Sequence, residues 1–320
     1  MLLLTPTHWK DYELLDCGNF EKLERFGSHI TIRPEPQALW DKKWSDADWK
    51  KKAHVLFTQK SSSSGDWQKL KQVAEQWKIS YQLNLESKSN SPLILGEISD
   101  SPLRSALADQ GGQRGITLRL GLTSFKHVGV FPEQAVNWDY IFKAIQDLKK
   151  QGIEAPRFLN LFAYTGAASL VAKAAGADVV HVDSIKQVVS WARENMDHSQ
   201  LSDIRWVVED ALKFVSREAK RGNKYHGIIL DPPAFGHGPN GEKWKLEDNI
   251  NEMMKGVISI LDPEKHFMIL NAYSLGFSSL IIENMLSDFA KENLETGELF
   301  LKAQSGITLP LGVFGRFRNF

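Results

Sequence analysis

The chain has 320 residues, 42% hydrophobic and 24% charged, which is the composition of a soluble globular protein with one large domain or two ordinary ones. Its 39 basic and 39 acidic residues cancel, which argues against a protein held on nucleic acid by bulk charge alone. No apolar run approaches the length of a membrane span, and MLLLTPT at the start lacks the pattern of a signal peptide. One cysteine, Cys17, excludes a disulfide framework and a cysteine-rich zinc site. We therefore predict a cytoplasmic protein without membrane association or bound metal.

The first 125 residues predict a small β-rich domain. Their apolar runs are short and separated by turn residues: HITIRP (29–34), HVLF (54–57), ISYQLNL (79–85), PLILGE (92–97) and GITLRL (115–120). Six of the ten tryptophans lie in the first 80 residues, among lysines. This arrangement is compatible with stacking on a single nucleic acid strand, and equally with the core of a small β-domain. Both roles stay open at this point.

From residue 126 to 320 the sequence predicts a second, larger domain in which strands alternate with helices. Near-continuous apolar strands are predicted at 157–162, 178–183, 204–209, 226–231 and 266–271. Helices are predicted at 137–152, 166–176, 185–196, 211–220, 246–261 and 278–291. This alternation predicts an α/β fold with a Rossmann-like, doubly wound, mostly parallel sheet buried on both faces. ELFLKA (298–303) and VFGRFRNF (313–320) complete seven strands, as an antiparallel pair at the sheet edge.

Doubly wound sheets bind ligands beyond the carboxyl ends of their strands, so we consider the residues that follow each strand. After the first comes NLFAYTGAAS, with a single well-placed glycine, Gly166, instead of the G-x-G-x-x-G pattern of dinucleotide sites. Asp183, after the second strand, is suited to accept both hydroxyls of a ribose, which NAD and S-adenosylmethionine share. Asp210, after the third, is suited to face an adenine edge or to cap the next helix.

The fourth strand is followed by DPPAF, which opens with Asp231. Proline lacks an N–H and fixes φ, so Pro232 and Pro233 predict a rigid backbone with free carbonyl groups. A carboxylate beside a fixed carbonyl can accept two hydrogen bonds from a planar nitrogen group. Phe235 is a candidate to stack on the ring of that group, or to pack beneath the loop. Together with Asp183, this loop indicates a nucleobase-binding site.

Four segments now carry a family resemblance: FLNLFAYTGAASL, HVDSIKQVVSWARENM, EDALKFV and ILDPPAFG. They resemble the S-adenosylmethionine-dependent methyltransferases of the bacterial 23S ribosomal RNA type, in the branch that contains 5-methylcytosine and 7-methylguanine enzymes of the large subunit. KHVGVFPEQ (126–134) resembles the segment that this family places just before its catalytic domain. The resemblance covers roughly residues 115 to 275. It implies S-adenosylmethionine as cofactor and ribosomal RNA as partner.

The resemblance also implies roles for individual residues. Those that would line the methionine and ribose part of the cofactor are Phe162, Tyr164, Thr165 and Gly166. Asp183 would bind the ribose, Asp210 with Ala211 would face the adenine, and Asp231 would lie where cofactor and substrate meet. Further cofactor contacts would come from Phe131 and Gln134. From this role of Asp231 and from the chemistry of the DPPAF loop, we predict Asp231, Pro232 and Phe235 as the catalytic residues.

The acceptor atom depends on a residue that the sequence lacks. Carbon 5 of cytosine needs a thiolate that adds to the ring, and the 5-methylcytosine members carry a cysteine after the fifth strand. This chain has NAYSLGFS (271–278) there, with Tyr273 and Ser274 as poor substitutes. We therefore predict a nitrogen acceptor. The alternatives are a methyltransferase of a protein or small molecule and, more remotely, an NAD-dependent oxidoreductase; the sequence does not give the oligomeric state.

Overall fold

The structure of the protein is a computed structural model that describes residues 1–61, 64–83, 115–273, 276–290 and 293–320. The predicted run at 92–97 and Ser274 lie outside these residues. The strands are β1 (Leu2–Leu4), β2 (Tyr12–Gly18), β3 (Glu21–Phe26), β4 (His29–Pro34), β5 (Val55–Gln59), β6 (Gly65–Lys69), β7 (Gln76–Gln82), β8 (Gly115–Gly121), β9 (Arg157–Leu161), β10 (Asp178–Asp183), β11 (Ile204–Val208), β12 (Gly227–Leu230), β13 (Phe235–His237), β14 (Lys243–Lys245), β15 (Phe267–Ala272), β16 (Glu295–Lys302) and β17 (Thr308–Arg318). The helices are α1 (Asp46–Lys52), α2 (Ala135–Lys150), α3 (Ala167–Ala174), α4 (Lys186–His198), α5 (Ala211–Lys220), α6 (Leu246–Ser259) and α7 (Ser279–Leu286).

The central sheet confirms the predicted α/β, mostly parallel architecture. Its order is β1–β16–β17–β15–β12–β9–β10–β11, and β17 runs antiparallel to both of its neighbours. Side chains of β12 alternate between two cores: Ile228 and Leu230 pack towards α5 and α6, and Ile229 packs on the other face, towards α2 and α3. Strands buried on both faces have no polar face, which is why they read as continuous apolar runs in the sequence.

The seven predicted strands are present, and an eighth, β1, joins them from the N-terminus. β1 pairs in parallel with β16, in the register Leu2 to Gly297 and Leu4 to Leu299, and it takes the edge position that we predicted for the C-terminal pair. Gly297 permits this approach, because a Cβ there would lie 1.9 Å from the carbonyl oxygen of Leu2. A run of three leucines is too short to show a strand period, and its partner lies almost the whole chain away.

The N-terminal half contains a five-stranded sheet, β2–β3–β4–β5–β6, and the antiparallel pair β7–β8. Its tryptophans are structural: Trp9, Trp49 and Trp77 are buried, and Trp40, Trp44 and Trp67 pack against the cores. The indole N–H of Trp49 donates to Asp16 Oδ2 at 2.9 Å, and that of Trp9 donates to the Ser80 carbonyl at 2.8 Å. The six tryptophans therefore fit the core role, and the three buried ones cannot stack on a base.

The two halves share one hydrophobic core. Trp9 and Tyr12 lie in the same buried cluster as Trp138 and Ile141 of α2. β8 is also fixed to α4, because the Arg119 carbonyl accepts the indole N–H of Trp191 at 2.9 Å. The domain boundary at residue 125 stays a prediction, but the N-terminal half is packed firmly enough to form a wall of a site at the sheet edge. In the part of the chain that the structure describes, no helix is long and apolar enough to cross a membrane.

Candidate active site

A cleft of about 640 Å³ opens at the carboxyl edge of the central sheet. One wall comes from the loops that follow β9, β10, β12 and β15, and the other comes from the N-terminal half. Residues of the first wall include Phe162, Tyr164, Asp183, Asp231, Pro232, Phe235 and Tyr273. Residues of the second include Lys22, Arg33, Pro34, Glu35, Gln37 and Lys126. The volume lies within the range of pockets that hold small-molecule ligands.

The loop after β9 has an unusual backbone. Phe162 and Tyr164 adopt positive φ values of 55° and 49°, a conformation that bulky side chains rarely take, and Gly166 follows at 89°. Thr165 anchors the loop, since its hydroxyl donates to the Gly129 carbonyl at 2.6 Å. Strain of this kind is concentrated at functional sites, where surrounding contacts hold it in place. The loop lines both the cleft and an adjoining recess of about 50 Å³.

Asp183 is the last residue of β10, and its side chain binds the backbone of the strained loop after β9. Its Oδ2 accepts the Tyr164 backbone N–H at 2.9 Å, and its Oδ1 accepts the Ile185 N–H at 2.9 Å. Burial raises the pKa of Asp183, although these backbone N–H groups lower it. The carboxylate faces the cleft with lone pairs that remain available to a ligand. The structure thus gives Asp183 a loop-positioning role that the sequence did not predict, beside the expected ribose contact.

Asp210 and Ala211 lie at a third recess, of about 40 Å³, together with Phe162 and Asp183. Asp210 caps α5, because its Oδ1 accepts the Lys213 backbone N–H at 3.0 Å. One carboxyl oxygen is engaged in this way, and the side chain still borders the recess. The structure therefore supports the cap and leaves the adenine contact as a prediction.

Replacing Asp210 with alanine is expected to lower the free energy of unfolding by about 1 kcal/mol, because an N-cap is lost. Urea denaturation measures this change, and Ser45→Ala, which removes the cap of α1, is the control of comparable size. Cofactor affinity separates the two roles: a cap alone leaves the dissociation constant unchanged, whereas an adenine contact raises it several-fold.

The Asp231 loop brings the three predicted catalytic residues to the cleft, but in different environments. The Asp231 Oδ1 atom is buried without a hydrogen-bond partner among the described residues. Pro232 is buried, and Phe235 is 69% exposed at the mouth of the cleft. Burial, followed by the nearby Glu133 carboxyl, raises the pKa of Asp231 to about 8. A carboxyl with one buried, unpaired oxygen at a cleft is a strong candidate to bind a ligand group.

The prediction of free carbonyl groups after Asp231 was too broad. The Pro233 carbonyl accepts the indole N–H of Trp244 at 2.7 Å, and the Ala234 carbonyl accepts the Leu246 N–H at 2.9 Å. Both partners follow from a β13–β14 hairpin that the sequence reading missed, although PNG at 239–241 is a turn signal. The expected acceptors are therefore restricted to the carbonyl groups of Asp231 and Pro232.

Gln134 does not act alone, because its side chain belongs to a buried polar network. Its Oε1 accepts from Asn137 at 3.0 Å and from Asn271 at 3.2 Å, and its Nε2 donates to the Tyr273 hydroxyl. Both ends of the Gln134 amide are thus occupied, and its clearest role is to position Tyr273. Phe131, the other additional contact, has its ring 5.2 Å from that of Tyr164 and lines the cleft.

Glu133 is a site residue that the sequence analysis missed. It is 3% exposed and lines the cleft, and its Oε2 has no hydrogen-bond partner among the described residues. Burial raises the pKa of Glu133, and both Glu133 and Asp231 raise that of Tyr273 beyond the effect of burial. Glu133, Asp231 and Tyr273 therefore form an acidic group at the cleft. The motif KHVGVFPEQ contained Glu133, but nothing in its spacing indicated this proximity.

Neither the only cysteine nor the buried His181 adds a reactive group to the site. Cys17 is fully buried in β2, and burial raises its pKa to about 12, so its thiol stays protonated. His181 is buried beside Ser169, and burial lowers its pKa to about 3. Over the described ranges of the chain, no cluster of three or more histidine, cysteine, aspartate or glutamate side chains is placed to hold a metal ion.

Comparison with known proteins links this chain to methyl transfer. Residues 120–260 match the family model described as Conserved hypothetical protein 95. The crystal structure of an S-adenosylmethionine-dependent methyltransferase from Agrobacterium tumefaciens is similar over nearly the whole chain. The two share 33% identity with a TM-score of 0.82, and the match covers 99% of this chain and 93% of that one. A putative methyltransferase complexed with S-adenosylhomocysteine has the same fold, at 15% identity and a TM-score of 0.65, with 97% and 76% of the chains covered.

Curated relatives are matched over about half of this chain. Ribosomal RNA large subunit methyltransferase K/L from Shewanella frigidimarina is 30% identical over 161 residues. This match covers 49% of the present chain and 21% of that protein. The protein of the same name from Magnetococcus marinus is 26% identical over 198 residues, which are 56% of this chain and 26% of its own. The chain thus spans about a quarter or less of the length of these relatives.

Proposed function

Because this chain belongs to the S-adenosylmethionine-dependent methyltransferases, we propose that it methylates a nitrogen atom of a nucleobase in ribosomal RNA. S-adenosylmethionine is the cofactor, and when bound it supplies the methyl group in electrophilic form. The names of the large-subunit relatives support the RNA substrate, and the chain's own residues support the nitrogen acceptor.

The observation that carries this proposal is the unpartnered, buried Oδ1 atom of Asp231, a residue that lines the cleft at the end of β12. An amino or ring N–H of a base can donate to this carboxyl and to the Pro232 carbonyl, which aligns the nitrogen lone pair. A nitrogen that carries hydrogen has a surplus proton once it has gained a methyl group. The ionised Asp231 carboxylate is the acceptor for this proton, and Glu133 is close enough to affect its charge.

Residues around the cleft support a flat substrate and argue against carbon methylation. The rings of Phe131, Tyr164 and Tyr273 face the cleft, and Phe235 offers an exposed ring at its mouth. Methylation at carbon 5 of cytosine needs a thiolate, and the only cysteine of the chain is buried in β2. A nitrogen lone pair needs no covalent catalyst. We therefore place nitrogen ahead of carbon as the acceptor.

Incubation of the protein with tritiated S-adenosylmethionine and unmodified large-subunit ribosomal RNA tests the proposal. We expect label in RNA that, after digestion to nucleosides, elutes with an N-methylated nucleoside. Label in 5-methylcytidine would contradict the nitrogen acceptor. Label in protein or in a small metabolite, with none in RNA, would contradict the RNA substrate and favour the corresponding alternative.

A further inference from the structure

Three cations lie together at the wall of the cleft, and we call them the cationic corner: Lys22 and Arg33 of the N-terminal sheet, and Lys126 of the segment that follows β8. All three line the cleft. Arg33 and Lys22 are 3% and 9% exposed, so they are not ordinary solvated side chains. Burying charged groups is unfavourable unless they are paired, so the partners of each cation indicate what the corner is suited to bind.

Two of the cations are compensated within the protein. The Arg33 guanidinium contacts Glu24 Oε2 at 2.9 Å and 2.6 Å, and the Lys22 ammonium lies 3.1 Å from Glu35 Oε2 and 3.7 Å from Glu24 Oε1. The Tyr12 hydroxyl donates a further hydrogen bond to Glu24 Oε1 at 2.9 Å. Two carboxylates thus balance two cations, and the pairs fix the corner rigidly.

Lys126 is the cation that remains. It is half-buried, and no carboxylate of the described residues lies within ion-pair distance of its ammonium group. Burial lowers the pKa of Lys126, and the neighbouring charges of Lys22 and Arg33 lower it further, against the opposing effect of Glu35. Glu24 pairs with Arg33, Glu35 pairs with Lys22, and the charge of Glu133 also acts on Lys22. Among the described residues, Lys126 is therefore the cation of the corner that is left without an ion-pair partner.

The backbone around Lys126 is held in place before any ligand arrives. The Arg33 Nη1 group donates to the Lys126 carbonyl at 3.0 Å, and Thr165 holds the carbonyl of Gly129 three residues later. Gly129 is itself confined, because at φ 110° a Cβ would lie 2.4 Å from the Trp191 ring. Lys126 is thus presented to the cleft from a fixed segment that joins the N-terminal sheet to the predicted cofactor loop.

We infer that the cationic corner binds a phosphate group of the nucleotide that is methylated, with Lys126 as its main contact. As a set, the predicted cofactor residues border the two smaller recesses as well as the cleft, whereas Lys22, Arg33 and Lys126 border the cleft alone. An anion at the corner is accordingly assigned to the substrate and not to the methionine carboxylate. The inference rests on the proposed function, because it takes the substrate to be a nucleotide in RNA.

The test compares Lys126→Met with Lys173→Met, both in complex with S-adenosylhomocysteine. Lys173 is a matched control: it is half-buried on α3, likewise without a carboxylate of the described residues at ion-pair distance, and it does not line the cleft. Binding of transcribed large-subunit ribosomal RNA is measured over a range of salt concentrations. We expect Lys126→Met to weaken binding about tenfold and to reduce the slope of log K against log salt by about one, as for one lost phosphate contact. Lys173→Met should match the wild type.

The affinity for S-adenosylhomocysteine, measured by calorimetry, should be the same in all three proteins. Weaker S-adenosylhomocysteine binding by Lys126→Met with an unchanged RNA salt slope would assign the corner to the cofactor carboxylate and overturn the inference. If the salt slope of RNA binding is the same for Lys126→Met and the wild type, the inference is overturned, whether or not methyl transfer to RNA is seen. If the salt slope of RNA binding depends on Lys126 but no tritium is transferred to RNA, the proposed function is contradicted and the inference is not. If the wild-type protein does not bind RNA, both the proposed function and the inference are contradicted.

Discussion

Replacing Asp231 with alanine is expected to lower kcat/KM for methyl transfer by about 100- to 1,000-fold, because the acceptor that orients the base and takes its proton is removed. The substitution should not lower the free energy of unfolding. A raised pKa means that the folded protein disfavours the ionised carboxyl, so burying Asp231 costs folding free energy at neutral pH. The urea midpoint of Asp231→Ala should therefore equal or exceed that of the wild type. A destabilised variant, or unchanged turnover, would contradict this role.

The same carboxyl predicts how activity depends on pH. The pKa of Asp231 is about 8, so below this pH the group is mostly protonated and cannot accept two N–H bonds or a proton. With both substrates far below their KM values, kcat/KM should rise with pH and level off above a midpoint of about 8. In Asp231→Asn the side chain has the same shape but does not titrate. The kcat/KM of this variant should be lower than that of the wild type and should show no midpoint near pH 8. Glu133→Gln removes a neighbouring acid that raises this pKa, and should move the midpoint to lower pH.

The sequence predicted the residues at the sheet edge because a parallel sheet makes their convergence a consequence of topology. Asp183, Asp210 and Asp231 each follow a strand of the same sheet, and the carboxyl ends of parallel strands meet at one edge. Only the order of strands and helices is needed for this conclusion, and both were readable from apolar runs. Contacts between residues that are close in sequence were also predictable, such as the N-cap that Asp210 forms on α5.

Contacts between distant segments were not predictable in this way. Glu133 lies near Asp231 because the segment before α2 is joined to the end of β15 through Gln134 and Tyr273. Lys126 lies beside the N-terminal sheet because the two halves of the chain pack on one shared core. β1 pairs with β16, which lies almost the whole chain away in sequence. The Pro233 carbonyl accepts a hydrogen bond from Trp244, which the β13–β14 hairpin places beside it. Each of these depends on how separate elements dock, which apolar periodicity does not encode.

Replacing Asp183 with alanine is expected to raise the dissociation constant of S-adenosylmethionine by about 100-fold, which corresponds to two charge-assisted hydrogen bonds to the ribose. A second effect acts in the same direction. The Asp183 carboxylate holds the backbone N–H groups of Tyr164 and Ile185, so its loss releases a loop whose strained φ values depend on such contacts.

Calorimetric titration with S-adenosylmethionine measures the change, and Asp178→Ala is the control, because Asp178 is an exposed aspartate at the opposite end of the same strand. The control should bind like the wild type. Asp183→Asn keeps one acceptor oxygen but presents an amide N–H group where a backbone N–H must be accepted, so its affinity should fall nearly as far as that of alanine. An Asp183→Asn variant with full affinity would mean that neither the negative charge nor the second acceptor is used, and that the ribose is held by other residues of the cleft.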